Sequence, residues 1–155
     1  LIAGVIAFLL SSTQYRNDLK KAKIEREFEM LKEVAEKVEV FNNITLNYWA
    51  FITDWRRRLI LDASIPKPIS LIDIQQKLFD SFSELTKAES LLLLFRYNNT
   101  SVKLRKYGET VIAFKKRVES LDVPFDNNDT ANYRKSMIDK RSELFILLNE
   151  IYKTI

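Results

Sequence analysis

Apolar residues recur along most of this chain at alternating steps of three and four, the period of helices that bury one stripe. The longest series runs Ile24, Phe28, Leu31, Ala35, Val38, Phe41, Thr45, Tyr48, Ile52, Trp55, Leu59. It predicts a first helix reaching about Leu61, where Asp62-Ala63-Ser64-Ile65-Pro66-Lys67-Pro68 stops it, because two prolines forbid continuation. Ser70, followed by Asp73, predicts the start of a second helix carrying Leu71, Ile74, Leu78, Phe82, Leu85, Leu92 and Phe95. Asn98-Asn99-Thr100-Ser101 reads as a polar break holding a cap. Leu104, Tyr107, Val111, Phe114, Val118 and Leu121 then form a third stripe. After the loop Asp122–Asp129, Thr130 reads as the cap of a fourth helix with Tyr133, Met137, Leu144, Leu148, Ile151 and Ile155. No segment alternates with the period of two that a strand requires. The expectation is an all-α, up-down-up-down four-helix bundle with a long first helix.

The chain opens differently. Leu1–Leu10 is uninterrupted apolar sequence, and no charge appears before Arg16. Fifteen uncharged residues span about 22 Å as a helix, short of the roughly 30 Å hydrocarbon layer. We therefore expect residues 1–15 to be the C-terminal part of a truncated transmembrane helix, with Tyr15 at headgroup level. A buried soluble helix and a signal-peptide remnant are the alternatives. Arg16, Lys20, Lys21, Lys23 and Arg26 face only Asp18 and Glu25 over residues 16–26, a positive flank that places the remainder on the cytoplasmic side.

Helix lengths then divide the chain into a membrane segment (1–15), a helical stalk (16–34) and a bundle (35–155). On the stalk, Ile24, Phe28 and Leu31 would form an uncovered apolar stripe, which costs about 25 cal/mol per Å² in water. The same stripe of another copy is the expected cover, making this the interface of a homo-oligomer. The competing arrangement has the fourth helix, or a bend near Asn42-Asn43, covering it.

Composition removes most chemistries. The 155 residues include no His and no Cys. Zinc sites of the usual ligand types, haem or iron–sulfur ligation, disulfides and Ser–His or Cys–His nucleophiles are thereby excluded. A ferritin-like di-iron site fails for want of Glu-x-x-His. Asp126-Asn127-Asn128-Asp129-Thr130 resembles a calcium loop only briefly, since Ala131 and Met137 stand where Gly and Glu are needed. Glu25, Glu29, Glu33 and Glu36 alternate with lysines at helical spacing, as on a solvated, ion-paired face. With only two glycines, Gly4 and Gly108, no phosphate-cradling loop exists. We expect no enzyme, no cofactor and no metal.

Two clusters remain. Tyr48, Trp49, Phe51 and Trp55 point several ways around one helix and supply either core or a partner interface. Arg56-Arg57-Arg58 follows, suited to a helix C-terminus. Between Arg96 and Arg117 the chain sets seven cations against Glu109 alone, a net +6 in a chain of total charge +4. Here Arg96, Asn98, Asn99, Thr100, Ser101, Lys103, Arg105 and Lys106 surround the start of the third helix, where free N–H groups favour an anion. The competing interpretation is a solvated basic face. The functional expectation is a membrane-anchored bundle working through protein contacts, as scaffold, accessory subunit or adaptor. The alternative is an oligomeric membrane effector that binds a small anion such as a nucleotide. Its partners would be membrane lipid, further copies of itself and a protein or small nucleotide; the modest net charge argues against duplex nucleic acid.

Overall fold

The computed structural model describes residues 2–155. Among them the chain forms four helices and no strands: α1 (Ile2–Leu61), α2 (Ile69–Leu94), α3 (Asn98–Glu119) and α4 (Asn127–Thr154). Short connections make consecutive helices antiparallel neighbours. α1 packs against all three others, most extensively against α2, whereas α2 and α4 do not meet.

The three–four stripes form most of the core, although Leu121, expected in the third stripe, lies beyond the end of α3 and is exposed. Val38, Phe41, Tyr48 and Ile52 of α1 meet Leu71, Leu78 and Leu92 of α2, Leu104, Tyr107, Val111 and Phe114 of α3, and Met137 and Leu144 of α4, all buried. Phe41 stands edge-on to both Phe82 and Tyr107, with centroids 5.1 and 5.5 Å apart. Such pairs add roughly 0.5–1.5 kcal/mol beyond area burial. Gly108 lets α3 approach α2 closely, since a Cβ there would lie 2.9 Å from Leu85 Cδ2.

Helix starts differ from the sequence expectation in three places. α2 starts at Ile69 behind Pro68 with no side-chain cap, so Ser70 lies inside its first turn. α4 is capped by Asp126, whose carboxylate accepts from the Asn128 and Asp129 amides at 2.8 and 3.4 Å. Thr130 lies inside the first turn, its hydroxyl donating back to the Asp126 and Asn127 carbonyls. Asn98–Ser101 is not a break either; it is the first turn of α3, and Phe95–Tyr97 makes the corner.

The largest difference is at the foot of the bundle. Met30, Leu31 and Val34 are already buried, so the core starts within the segment expected to be a free stalk. The physical reason is the far end of α4, where Ile151 is buried and Tyr152 packs on Phe28 with ring centroids 5.4 Å apart. Further toward the N-terminus α1 continues as a single helix, and nearly every residue from Ile2 to Lys21 is exposed. This arm is about 30 Å long.

Candidate functional surfaces

At the α2–α3 corner the Tyr97 amide donates to the Leu92 carbonyl at 2.9 Å and the Arg96 amide to the Leu93 carbonyl at 3.0 Å. These two bonds define a Schellman closure of α2. Its left-handed position, ordinarily glycine, is Arg96 with φ 66°. A Cβ in that conformation costs about 1 kcal/mol. We expect Arg96→Gly to raise stability by about 0.5–1 kcal/mol in thermal or urea denaturation. A fall would mean that the arginine side chain contributes more than its backbone costs.

The expected anion site is only partly assembled here. Arg96, Asn98 and Asn99 are exposed at the start of α3, and no side chain caps that start. Thr100 and Ser101 turn inward and are buried, with the Ser101 hydroxyl donating to the Asn98 carbonyl at 2.7 Å. The surrounding cations are largely matched by other helices. Lys103 meets Glu143 of α4 at 3.4 Å, Arg105 grips Glu89 of α2 through Nε at 2.8 Å, and Arg117 meets Asp129 at 3.2 Å. Lys115 pairs with Glu119 on its own helix at 2.9 Å. Among the described residues Arg96, Lys106 and Lys116 make no ion pair.

At the opposite end, Arg56 is the residue that the sequence reading misplaced. It is buried, and donates to the carbonyls of Val118, Ser120 and Val123 at 2.6, 3.0 and 2.8 Å. Its guanidinium lies 5.8 Å from the Phe125 ring centroid. It thus ties the last turn of α3 and the following loop to α1. Burial pushes its pKa down from the ordinary arginine value. The spacing Tyr48–Ile52–Arg56, two steps of four, does place it on the inward stripe; reading three adjacent arginines as a unit hid that. Beside it, Glu119 accepts from Tyr48 Oη and Gln75 Nε2, both at 2.8 Å, and from Lys115 Nζ at 2.9 Å. Burial raises the Glu119 pKa, but the hydrogen bonds from Lys115, Tyr48 and Gln75 outweigh it, and the net direction is down. Trp55, Leu59, Ile60, Ile65, Leu121 and Phe125 line a cleft of about 360 Å³ at this end. The aromatic cluster resolves mostly into core: Tyr48 and Trp55 are buried, and Trp49 Nε1 donates to the Thr130 carbonyl at 2.8 Å. Phe51 alone of the four is exposed.

The N-terminal arm is the third surface. Ile2, Val5, Ile6, Phe8, Leu9 and Leu10 are all exposed and cover somewhat more than half of the helix circumference, and the exposed Ala3, Gly4 and Ala7 make up the rest, so no polar face remains. A helix apolar all round is stable only inside protein or lipid. Yet no helix among the described residues is long and apolar enough to cross a membrane, because Ser11–Gln14 and the charges from Arg16 onward follow so soon. The expected transmembrane segment is therefore unsupported, while the apolar arm is real. The expected oligomer stripe is also largely occupied: Leu31 is buried in the bundle, Phe28 lies under Tyr152 and is 37% exposed, and Ile24 is half-buried. Where the arm joins the bundle, Met30, Leu91 and Phe95 floor an open trough of about 520 Å³ edged by Glu25, Arg26, Glu29 and Glu33. No group of carboxylates suited to a metal ion occurs among the described residues.

These features define an all-helical bundle with an apolar arm. No protein-family model, curated protein or solved structure matches the chain.

Proposed function

We propose that this chain is a membrane-attached helical bundle that acts through protein contacts, as a scaffold, accessory subunit or adaptor. The observation that carries the reading is the uncovered arm, apolar on all sides from Ile2 to Leu10. These nine residues alone give about 13 Å of apolar helix. Behind them stand Tyr15 and then Arg16, Lys20, Lys21 and Lys23, at the height where headgroups would lie. Each lysine or arginine near an anionic surface adds about 1 kcal/mol. The positive flank favours the cytoplasmic face for the bundle. The distal cleft around Trp55 and Phe125, on the end facing away from lipid, is where a protein partner fits.

Flotation with vesicles tests this. The chain is expected to float with phosphatidylcholine vesicles containing phosphatidylserine, less so as salt rises, and to stay behind when Phe8 and Leu9 are both changed to Glu. If the unaltered chain does not float, attachment through the arm is wrong.

A second reading, anion sensing at α3, draws on the uncapped first turn beside Arg96. It has less support, because Lys103, Arg105, Lys115 and Arg117 already have carboxylate partners. A rise in melting temperature with one nucleotide and not with equimolar phosphate would favour it.

A further inference from the structure

We propose that a second copy of this chain packs in parallel along the arm, through a stripe formed by Phe8, Ser12, Tyr15, Leu19 and Ala22. The proposal rests on the membrane-attached reading for the local concentration that drives it. The stripe advances by four, three, four and three residues, the spacing of a two-stranded coiled coil. Its large members lack cover within the chain: Phe8 is 72% exposed, Tyr15 65% and Leu19 50%. Ile24, about five residues beyond Leu19, falls on the far side of the helix, which faces the chain's own bundle.

Charge favours a second copy in parallel. On this register Asp18 and Lys23 flank the stripe on opposite edges, five residues apart. In a parallel pair that is the spacing at which one helix reaches across to the other, so Asp18 of each copy meets Lys23 of its mate. The same stripe continues into Arg26, Glu29 and Glu33. Across a two-fold axis these residues would each face their own like charge, so the helices separate there and the two bundles diverge. The trough around Met30 and Phe95 stays open at the fork. An antiparallel pair would point the two apolar ends in opposite directions, and one membrane could receive only one of them. With only about four turns of contact, two of them polar at Ser12 and Tyr15, pairing is weak in dilute solution. It strengthens when attachment confines both arms to a surface.

The absence of cysteine makes a direct experiment clean. Leu19→Cys and Ile24→Cys are made separately and oxidised, both on phosphatidylserine vesicles and in concentrated solution. Leu19→Cys is expected to form disulfide-linked dimers at least tenfold faster than Ile24→Cys. Adding Lys23→Asp to Leu19→Cys should slow cross-linking several-fold, and Asp18→Lys in the same chain should restore it. Leu19 is exposed and Ile24 only half-buried at the foot of the bundle, outside its core cluster, so circular dichroism should show unchanged folding. Equal rates at positions 19 and 24, or no restoration by the charge swap, would overturn the interface. Flotation without cross-linking at position 19 sinks the pairing and leaves attachment standing. Selective cross-linking at position 19 in solution without flotation sustains the pairing and removes attachment.

Discussion

Arg56→Met will lower the stability of the bundle by about 3–5 kcal/mol, the largest effect expected of any single polar substitution in this chain. Methionine nearly matches the arginine in length, so the loss is not chiefly one of volume. The cost arises because the Val118 and Val123 carbonyls lose their donor together, while the Ser120 carbonyl loses one of two and keeps the Val123 amide at 3.3 Å. The last four carbonyls of a helix have no partner within it. Here the partner comes from another helix, and the site is closed: Arg56 is only 6% exposed. Leaving a buried acceptor unsatisfied costs about 1–3 kcal/mol each, reduced where water can enter from the adjoining cleft. Replacing a buried charge with an apolar group can be neutral when its partners leave with it; backbone carbonyls cannot leave. Arg56→Lys keeps the charge but not the fork that spans three acceptors, and should cost about half as much. Arg57→Met, which loses only an exposed bond to Asn127, should stay within about 0.5 kcal/mol. Urea denaturation of the three variants decides the matter, and a change below 1 kcal/mol for Arg56→Met would show that the loop carbonyls find water instead.

The same contrast explains what could be read from the sequence. Helix number, order and the inward stripes follow from a period that each helix carries within itself, so Leu71, Leu78, Leu104, Phe114 and Leu144 were identifiable in advance and are buried. Interactions between helices are not encoded along the chain in this way. Counting charges from Arg96 to Arg117 finds one acid, because Glu89, Asp129 and Glu143, which neutralise Arg105, Arg117 and Lys103, lie on α2 and α4. The stalk estimate failed for a related reason. Helix lengths favour a free stalk over cover by the fourth helix, the competing arrangement, yet Tyr152 of α4 reaches Phe28 and the core begins at Met30. Cap positions slipped because Asp126 and Thr130 are equally good capping types, four residues apart, and only tertiary packing decides which lies outside the helix.

The arm and the bundle therefore pose separate problems for the chain. The bundle satisfies most of its polar groups internally, through Arg56, through the Glu119 network, and through ion pairs such as Lys37 with Glu84 at 2.5 Å, with Thr45 Oγ1 and Arg141 Nε the buried exceptions among the described residues. Lys37 and Lys87 together hold the exposed Glu84 carboxyl down at about 2. The arm satisfies nothing by itself. An exposed helix with six large apolar residues in its first ten positions is a liability to aggregation unless lipid or protein covers it. On the membrane-attached reading proposed above, the arm's requirement for cover is what would couple binding by the bundle to a surface.

Above pH 10 the bundle should unfold cooperatively, losing roughly 2.7 kcal/mol of stability per pH unit. Two of the six tyrosines, Tyr48 and Tyr107, are fully buried. Burial is the main cause raising both pKa values well above that of a free tyrosine; for Tyr48 the Glu119 carboxylate that accepts its proton adds to the effect. Tyr107 donates to Asn42 Oδ1 at 2.9 Å inside the core. In the unfolded chain both would ionise near pH 10. Above that pH the unfolded state has therefore released two protons that the folded state retains, and stability falls by about 1.4 kcal/mol per unit for each group. Below pH 10 both states hold the protons and the contribution is flat. The fall continues until the native hydroxyls themselves ionise. Urea midpoints at pH 9, 10 and 11 give the slope, while absorbance at 295 nm counts phenolates. Tyr48 and Tyr107 are expected to ionise only as helical circular dichroism disappears. Tyr48→Phe should cost about 1 kcal/mol at pH 7 through the lost hydrogen bond, because Lys115 and Gln75 still hold Glu119, and should halve the alkaline slope. Ionisation of Tyr48 and Tyr107 near pH 10 with helicity intact would show that the centre of the bundle is open to water.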